Sequence, residues 1–309
     1  MCYSAQAWQD YEKFQRETDS PLSMKEYVKF FWDWKSKGTP YKIPKAMMDA
    51  FNNPKTDDER KIHGWIEEWK IEQAAKFEQE LFKQKKRLAD AERMLKSKVT
   101  KKAENDQRVA TNKISQLKVK LDDLKRIKSL PKDSRFFPGN YSTVLASEGG
   151  KKFVAPMRYQ CRLAGKPESY DKRYPGTYNA RRDNLEGFWK GQFGYTHGII
   201  VVETFYENVE TDEGRNQVLQ FTPSDGGPMY VACLWSRWLG EDGEELLSFA
   251  AITDDPEPEV AAAGHDRTII NIKPEHIEAW LNPDPNNLQA LYDIFDDKQH
   301  PYYENREAA

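Results

Sequence analysis

Cys2 follows Met1 and precedes Tyr3, Ser4 and Ala5. Cysteine is small enough for an aminopeptidase to remove Met1, and the new terminus then holds an amine and a thiol on adjacent carbons. Their ordinary pKa values, about 8 for the amine and about 8.5 for the thiol, leave both partly available near neutrality. Such an aminothiol has one distinctive reaction. The amine attacks an aldehyde to give a Schiff base, and the thiol closes onto the same carbon to give a stable thiazolidine. Three other segments carry candidate chemistry. In Thr177–Asp183 (TYNARRD), Asn179 both donates and accepts, and Arg181 and Arg182 are suited to phosphate. In Val202–Glu207 (VETFYE), strict alternation places Val202 and Thr204 on one face and Glu203, Phe205 and Glu207 on the other. A carboxylate at such an apolar strand end has its pKa pushed up and suits general acid–base work. In Gly264–Arg267 (GHDR), His265 is the residue type best fitted to pass a proton near neutral pH. His63, His197, His276 and His300 have no comparable setting. The commoner reading of each segment alone is local structure: a polar turn, a strand-end ion pair, a surface histidine.

The positioning elements differ between the two parts of the chain. Gly and Pro are absent from Trp65 to Leu130 and frequent afterwards. The first stretch has apolar residues at broken helical spacing (Ile66, Trp69, Phe77, Leu81, Leu88, Leu95, Val99), then at cleaner spacing (Ile114, Leu117, Leu121, Leu124). That pattern predicts a coiled-coil arm over about 56–130, folded as an antiparallel hairpin with its turn near Asn105–Asp106. From Lys83 to Lys128 there are 16 Lys and Arg against 6 Asp and Glu, a local excess of +10 in a chain of net charge −3. The basic stretch suits DNA phosphates, self-association or a protein partner. Ahead of it, Ser23 is placed to cap a helix whose Met24, Tyr27, Phe31 and Trp34 share a face, more often core than a base-stacking platform. From Phe136 on, short β-branched and aromatic runs alternate with Gly, Pro, Asp and Asn. These runs (141–146, 152–162, 198–205, 218–221, 229–235, 247–252, 268–272) predict a mostly antiparallel sheet or barrel. Short helices near 275–281 and 288–295 close it, and the tail from Asp296 is expected to fray.

In this order, the Met-Cys start, the Asn179-Ala180-Arg181 turn, the Phe205-Tyr206-Glu207 strand end and the Thr253-Asp254 to His265-Asp266-Arg267 loop resemble the SOS-response-associated peptidase (SRAP) family. Phe137-Pro138-Gly139 and Ala155-Pro156-Met157-Arg158-Tyr159 add to the resemblance, which covers roughly 1–15 and 133–285. It implies a compact β-rich domain with a DNA cleft. It further implies that Cys2 crosslinks to the ring-opened aldehyde of an abasic site in single-stranded DNA. Glu207 matches the family's acid–base carboxylate, His265 its active-site histidine, and Asn179 the asparagine that positions the reacting groups. Arg181 and Arg267 match arginines near the DNA backbone, and Arg158 and Tyr159 fall where further DNA contacts are expected. The chain departs from the pattern in several places. Tyr3-Ser4 replaces Gly-Arg, Tyr159-Gln160 replaces Trp-Gly, Asn208 replaces a Trp after Glu207, and Thr268-Ile269 replaces Met-Pro.

The sequence therefore predicts an α+β protein. A discontinuous SRAP-like catalytic domain (1–15 plus 133–309) carries a helical insertion (16–132). Its function is covalent capture of abasic sites through Cys2, with no metal or organic cofactor. Cys2, Cys161 and Cys233 give neither a disulfide framework nor metal-ligand spacing. No apolar run is long enough to cross a membrane and no signal peptide is evident, so a cytoplasmic setting is expected, a host cytoplasm for a phage protein or the nucleus for a eukaryotic one. Two rival readings are a cysteine autopeptidase or peptidase with Cys2 as N-terminal nucleophile, and a non-catalytic DNA-binding or scaffold protein acting through the arm.

Overall fold

The computed structural model describes residues 4–20, 23–38, 42–210, 214–241 and 243–308. It is α+β and divides into two compact units, Met1–Asp58 with Leu130–Ala309, and Glu59–Ser129. The helices are α1 (Tyr11–Thr18), α2 (Met24–Ser36), α3 (Lys45–Asp49), α4 (Asp57–Ser97), α5 (Lys101–Lys125), α6 (Tyr170–Arg173), α7 (Pro258–Ala262), α8 (Ile277–Leu281) and α9 (Gln289–Asp296). The strands are β1 (Ser4–Ala7), β2 (Arg135–Phe136), β3 (Tyr141–Glu148), β4 (Lys151–Tyr159), β5 (Asn179–Arg181), β6 (His197–Glu210), β7 (Asn216–Pro223), β8 (Met229–Leu239), β9 (Glu245–Asp254), β10 (Thr268–Ile269), β11 (Asn271–Ile272) and β12 (Tyr303–Glu307). No helix among the described residues is long and apolar enough to cross a membrane.

Five strands close on themselves in the order β3–β4–β9–β8–β6, with β6 returning to β3. The β4–β9 pairing is parallel and the other four are antiparallel. The ring strands are buried on both faces, so they read as nearly continuous apolar runs. On β6, Ile200 and Val202 enter one hydrophobic cluster with Val144, Met157, Phe205 and Phe249, while Ile199 and Val201 enter a second with Leu145, Ile252, Trp280 and Phe295. Closure at β3–β6 needs a bare backbone: a Cβ at Gly198 would lie 3.0 Å from both Cys233 Sγ and the Leu145 carbonyl. Cys161 and Cys233 are buried free thiols, and burial pushes Cys161 up to about 12.

α1, α2 and α3 lie in the same unit as the barrel. The aromatic face of α2 is core: Tyr27 meets Tyr11 and Phe51, and its hydroxyl lies 3.1 Å from Thr143 Oγ1 on β3. Ser23, expected to cap α2, makes no side-chain capping bond. In the second unit α4 and α5 form an antiparallel hairpin, and Arg87 donates to Asp106 at 3.1 Å across it. The turn falls at Lys98–Thr100, not at Asn105–Asp106. Thr100 caps α5 by accepting the Ala103 N–H at 3.2 Å, and the polar run around Asn105 stays helical. Buried Ala91, Ala103 and Ala110 explain the misreading, since small residues at a close helix contact leave a weak apolar signal. The tail does not fray either. Its residues 303–307 form β12 against the edge of β7, anchored by the buried Tyr303.

His197 shows how tightly the barrel end is packed. Its ring stacks 3.8 Å from Trp280, Nδ1 donates to the Trp280 carbonyl at 2.9 Å, and Nε2 accepts the Gly194 N–H at 2.8 Å. Burial depresses its pKa to about 3, against the carbonyl bond that opposes the shift. The unfolded chain protonates this histidine near pH 6.5, and the folded one does not until far lower. Stability is therefore unaffected above pH 6.5 and falls on acidification from there toward pH 3, by up to ~1.4 kcal/mol per pH unit from this group. Denaturant midpoints for His197→Gln, which stays neutral, should lack this component of the acid slope.

Candidate functional site

Glu207 is delivered by β6. β1 pairs alongside, with Ser4 opposite Tyr206 and Ala5 opposite Phe205. The pairing shifts between Gln6 and Ala7, which face Thr204 and Val202, so Glu203 is an extra residue in a bulge. This breaks the alternation expected for VETFYE. Glu203 is exposed and lines one groove with Thr204 and Tyr206, a groove that Phe205 and Glu207 do not line. The bulge thus separates the two glutamates that strict alternation would have placed together.

His265 reaches the same place from another direction. After α7 the chain reverses at Gly264, whose φ of +89° favours glycine, and the His265 N–H bonds to the Val260 carbonyl at 3.1 Å. His265 Nε2 then lies 3.3 Å from Glu207 Oε2, with both side chains largely buried. Nδ1 is 2.9 Å from the Arg267 carbonyl. The Arg267 N–H also points at Nδ1, at 3.3 Å, so the two contacts ask opposite roles of that nitrogen, while Nε2 faces the Glu207 carboxyl. Burial lowers the His265 pKa, opposed by that same carbonyl bond. The shift favours the neutral imidazole, with Nε2 beside the Glu207 carboxyl where the two groups can exchange a proton.

Asn179 opens β5, parallel to β9 and opposite Ala251. Its Oδ1 accepts from the Tyr159 hydroxyl at 3.3 Å, and its buried Nδ2 has no hydrogen-bond partner among the described residues. Tyr159 is itself core, stacked on Phe249 at 5.2 Å and edge-on to Phe136 at 5.2 Å. Phe136 pairs with Ala5 of β1, so a continuous aromatic path links the first strand to Asn179. Sequence reasoning singled out neither Phe136 nor the Tyr159–Asn179 bond. The signal available was Arg135-Phe136 just ahead of Phe137-Pro138-Gly139.

Arg181 and Arg267 converge on one cleft of about 600 Å³. Its lining holds three arginines (Arg181, Arg182, Arg267) and five carboxylates (Asp183, Glu186, Asp254, Asp255, Asp266). Arg181 is forked onto Asp183 at 3.0 and 2.7 Å. Arg158 lies elsewhere: its guanidinium bonds Asp171 at 2.8 Å and the Gln160 carbonyl at 3.0 Å, beside the Arg162–Asp171 pair. Burial would raise the Asp171 pKa, but the bonds and charges of Arg162 and Arg158 outweigh it and hold Asp171 low. Cys2 lies outside the described residues. Among the described residues no cluster of three or more His, Cys, Asp or Glu is arranged to hold a metal.

Gln160 has φ +140°, a backbone state that side chains rarely adopt and glycine adopts freely. Glycine is what the family resemblance expects at this position. The strained state is held by Gln160 N–H to the Phe249 carbonyl at 3.1 Å and by Nε2 to the Asp171 carbonyl at 3.0 Å. Gln160→Gly keeps the backbone bond and relieves the strain, so it should raise stability by about 1 kcal/mol, read as a shift in the denaturant midpoint. A lower midpoint would show that the side-chain bond dominates.

The model for the SOS response associated peptidase family, SRAP, matches residues 98–307. The chain also matches solved structures, among them a protein from Bordetella bronchiseptica (19% identity, TM-score 0.47, covering 57% of this chain and 87% of that one). Another comes from Bacteroides thetaiotaomicron (16%, 0.47, covering 57% and 78%). A third is a phage-related protein of Bordetella bronchiseptica (17%, 0.45, covering 59% and 84%). No curated protein matches the chain.

Proposed function

Since the chain belongs to the SOS response associated peptidase family, we propose that it captures abasic sites in single-stranded DNA by a thiazolidine link to Cys2, exposed by loss of Met1. The observation that carries this reading is the Glu207–His265 pair, 3.3 Å apart, with Glu207 on the strand that holds Ser4 opposite Tyr206. Ser4 follows Cys2 by two residues, and two residues of chain span at most about 7 Å. Tyr206 is the immediate neighbour of Glu207 on that strand.

The chemistry needs no cofactor. The Cys2 amine adds to the C1 aldehyde of the ring-opened sugar. The carbinolamine loses its hydroxyl as water, with the proton delivered through Glu207 and His265. The Cys2 sulfur then adds to the C=N carbon while its proton passes to the nitrogen. One C–N and one C–S bond form, and one water leaves. The aldehyde that drives strand-breaking elimination is gone from the product. The Nδ2 donor of Asn179 is assigned to the sugar or the amine, and Tyr159 to holding Asn179 in place. Arg181 and Arg267 are assigned to phosphates, each exchanging a neighbouring carboxylate for DNA. Arg158 acts through Asp171, outside the reacting groups.

The test is to mix the mature protein with a single strand carrying one abasic site and run a denaturing gel. A heat-stable band at the summed mass supports capture. Turnover of peptides with no such band would instead favour an N-terminal cysteine peptidase.

A further inference from the structure

The Glu207–His265 pair uses the buried side of β6. The outer side of the same strand walls a second, separate groove of about 730 Å³, shared with Gln6 and Trp8 of β1. Four cations from separate segments line it: Lys13 of α1, Lys132 from the turn before β2, Arg135 of β2 and Arg306 of β12. Glu203, brought there by the bulge, is the carboxylate among the lining residues. The groove therefore carries a net +3, whereas three arginines and five carboxylates give the cleft beside Arg181 and Arg267 a net −2.

Two of the cations, Arg135 and Lys13, are held in position. The Arg135 guanidinium lies 3.6 Å over the Tyr206 ring, and its Nε donates to Ser4 Oγ at 3.0 Å. Lys13 sits 4.0 Å over the Trp8 ring and 3.5 Å from Glu203. Tyr206, which lines the groove, pairs with Ser4, the first described residue of the chain. Its lining sets four cations along one path beside the Trp8 and Tyr206 rings, which is the character of a phosphate track with stacking surfaces.

We propose that this groove carries the phosphodiester backbone of the single strand on one side of the captured sugar. The claim deepens the capture reading and rests on it for the identity of the strand. Phosphate binding in the groove is a separate property, measured without any lesion.

The experiment uses the full chain and an undamaged, fluorescent single strand, followed by anisotropy across a salt series. Each phosphate neutralised on a single strand adds about 0.7 to the slope of log K against log salt. Lys132→Gln/Arg306→Gln should bind about tenfold more weakly at about 50 mM salt, with a slope shallower by about 1.4. Lys132→Arg/Arg306→Lys should keep the parent's affinity and slope. Unchanged affinity and slope in the neutral double variant would overturn the proposal. So would equal weakening in the charge-preserving one, because the loss would then come from altered packing. Adduct formation by the parent on an abasic strand is scored separately. Its absence would remove the capture reading and leave the groove measurement standing.

Discussion

Cys2→Ala is expected to lower the yield of heat-stable adduct with abasic single-stranded DNA by at least ~100-fold. The variant keeps an N-terminal amine and still forms a Schiff base, but an imine without a neighbouring thiol reverts in water. Borohydride should therefore restore a crosslink in Cys2→Ala by reducing the imine, while adding little to the parent's yield. This pattern separates the roles of amine and thiol within one residue. A heat-stable band of parental intensity in Cys2→Ala without reductant would remove the sulfur from the chemistry and return the search to lysine side chains.

Glu207→Gln is the second large effect. The carboxyl is buried against His265 Nε2 at 3.3 Å, and the amide keeps its shape while losing the capacity to act as acid or base. Removing a positioned acid–base group slows a proton-transfer step by about 10²–10⁴-fold, so single-turnover adduct formation at saturating DNA should fall in that range while binding of undamaged strand stays as it was. His265 adds a pH signature. Because burial lowers its pKa, the neutral imidazole persists below pH 6.5. The parent's rate should therefore hold on acidification past that point, and His265→Gln should change this acid limb. Equal rates for Glu207→Gln and the parent at every pH would show that the pair only supports the fold.

Much of this was legible in the residues, for definable reasons. The short continuous apolar runs located the barrel strands because both faces of the ring are buried, giving runs such as 198–202. Glu207 and His265, 58 positions apart, were each recognisable as acid–base candidates. That they meet depends on the reversal at Gly264 and the path of β6, which no local pattern encodes. The bulge at Glu203 was invisible because alternation carries no mark of an extra residue, and it moves Glu203 to the cationic groove. Tyr159 matched a position expected to touch DNA, yet it is packed against Phe249 and Phe136, where the hydroxyl can hold Asn179. The hairpin turn was misplaced because the capping threonine at 100 is a weaker mark than the polar run that follows it. The last strand was missed because β12 is set by the open edge of β7, a partner far away in sequence.

The central claim is that a free aminothiol at Cys2 takes the sugar aldehyde into a ring. Its most direct measurement is the mass of the N-terminal proteolytic peptide, Cys2 to Lys13, after nuclease and protease digestion of the adduct under alkylating conditions. The expected peptide begins at Cys2, carries the sugar remnant less one water, and takes up no alkylating reagent on sulfur. A peptide that retains Met1, a Cys2 sulfur that alkylates freely while the sugar is attached, or a remnant on any other residue would contradict it.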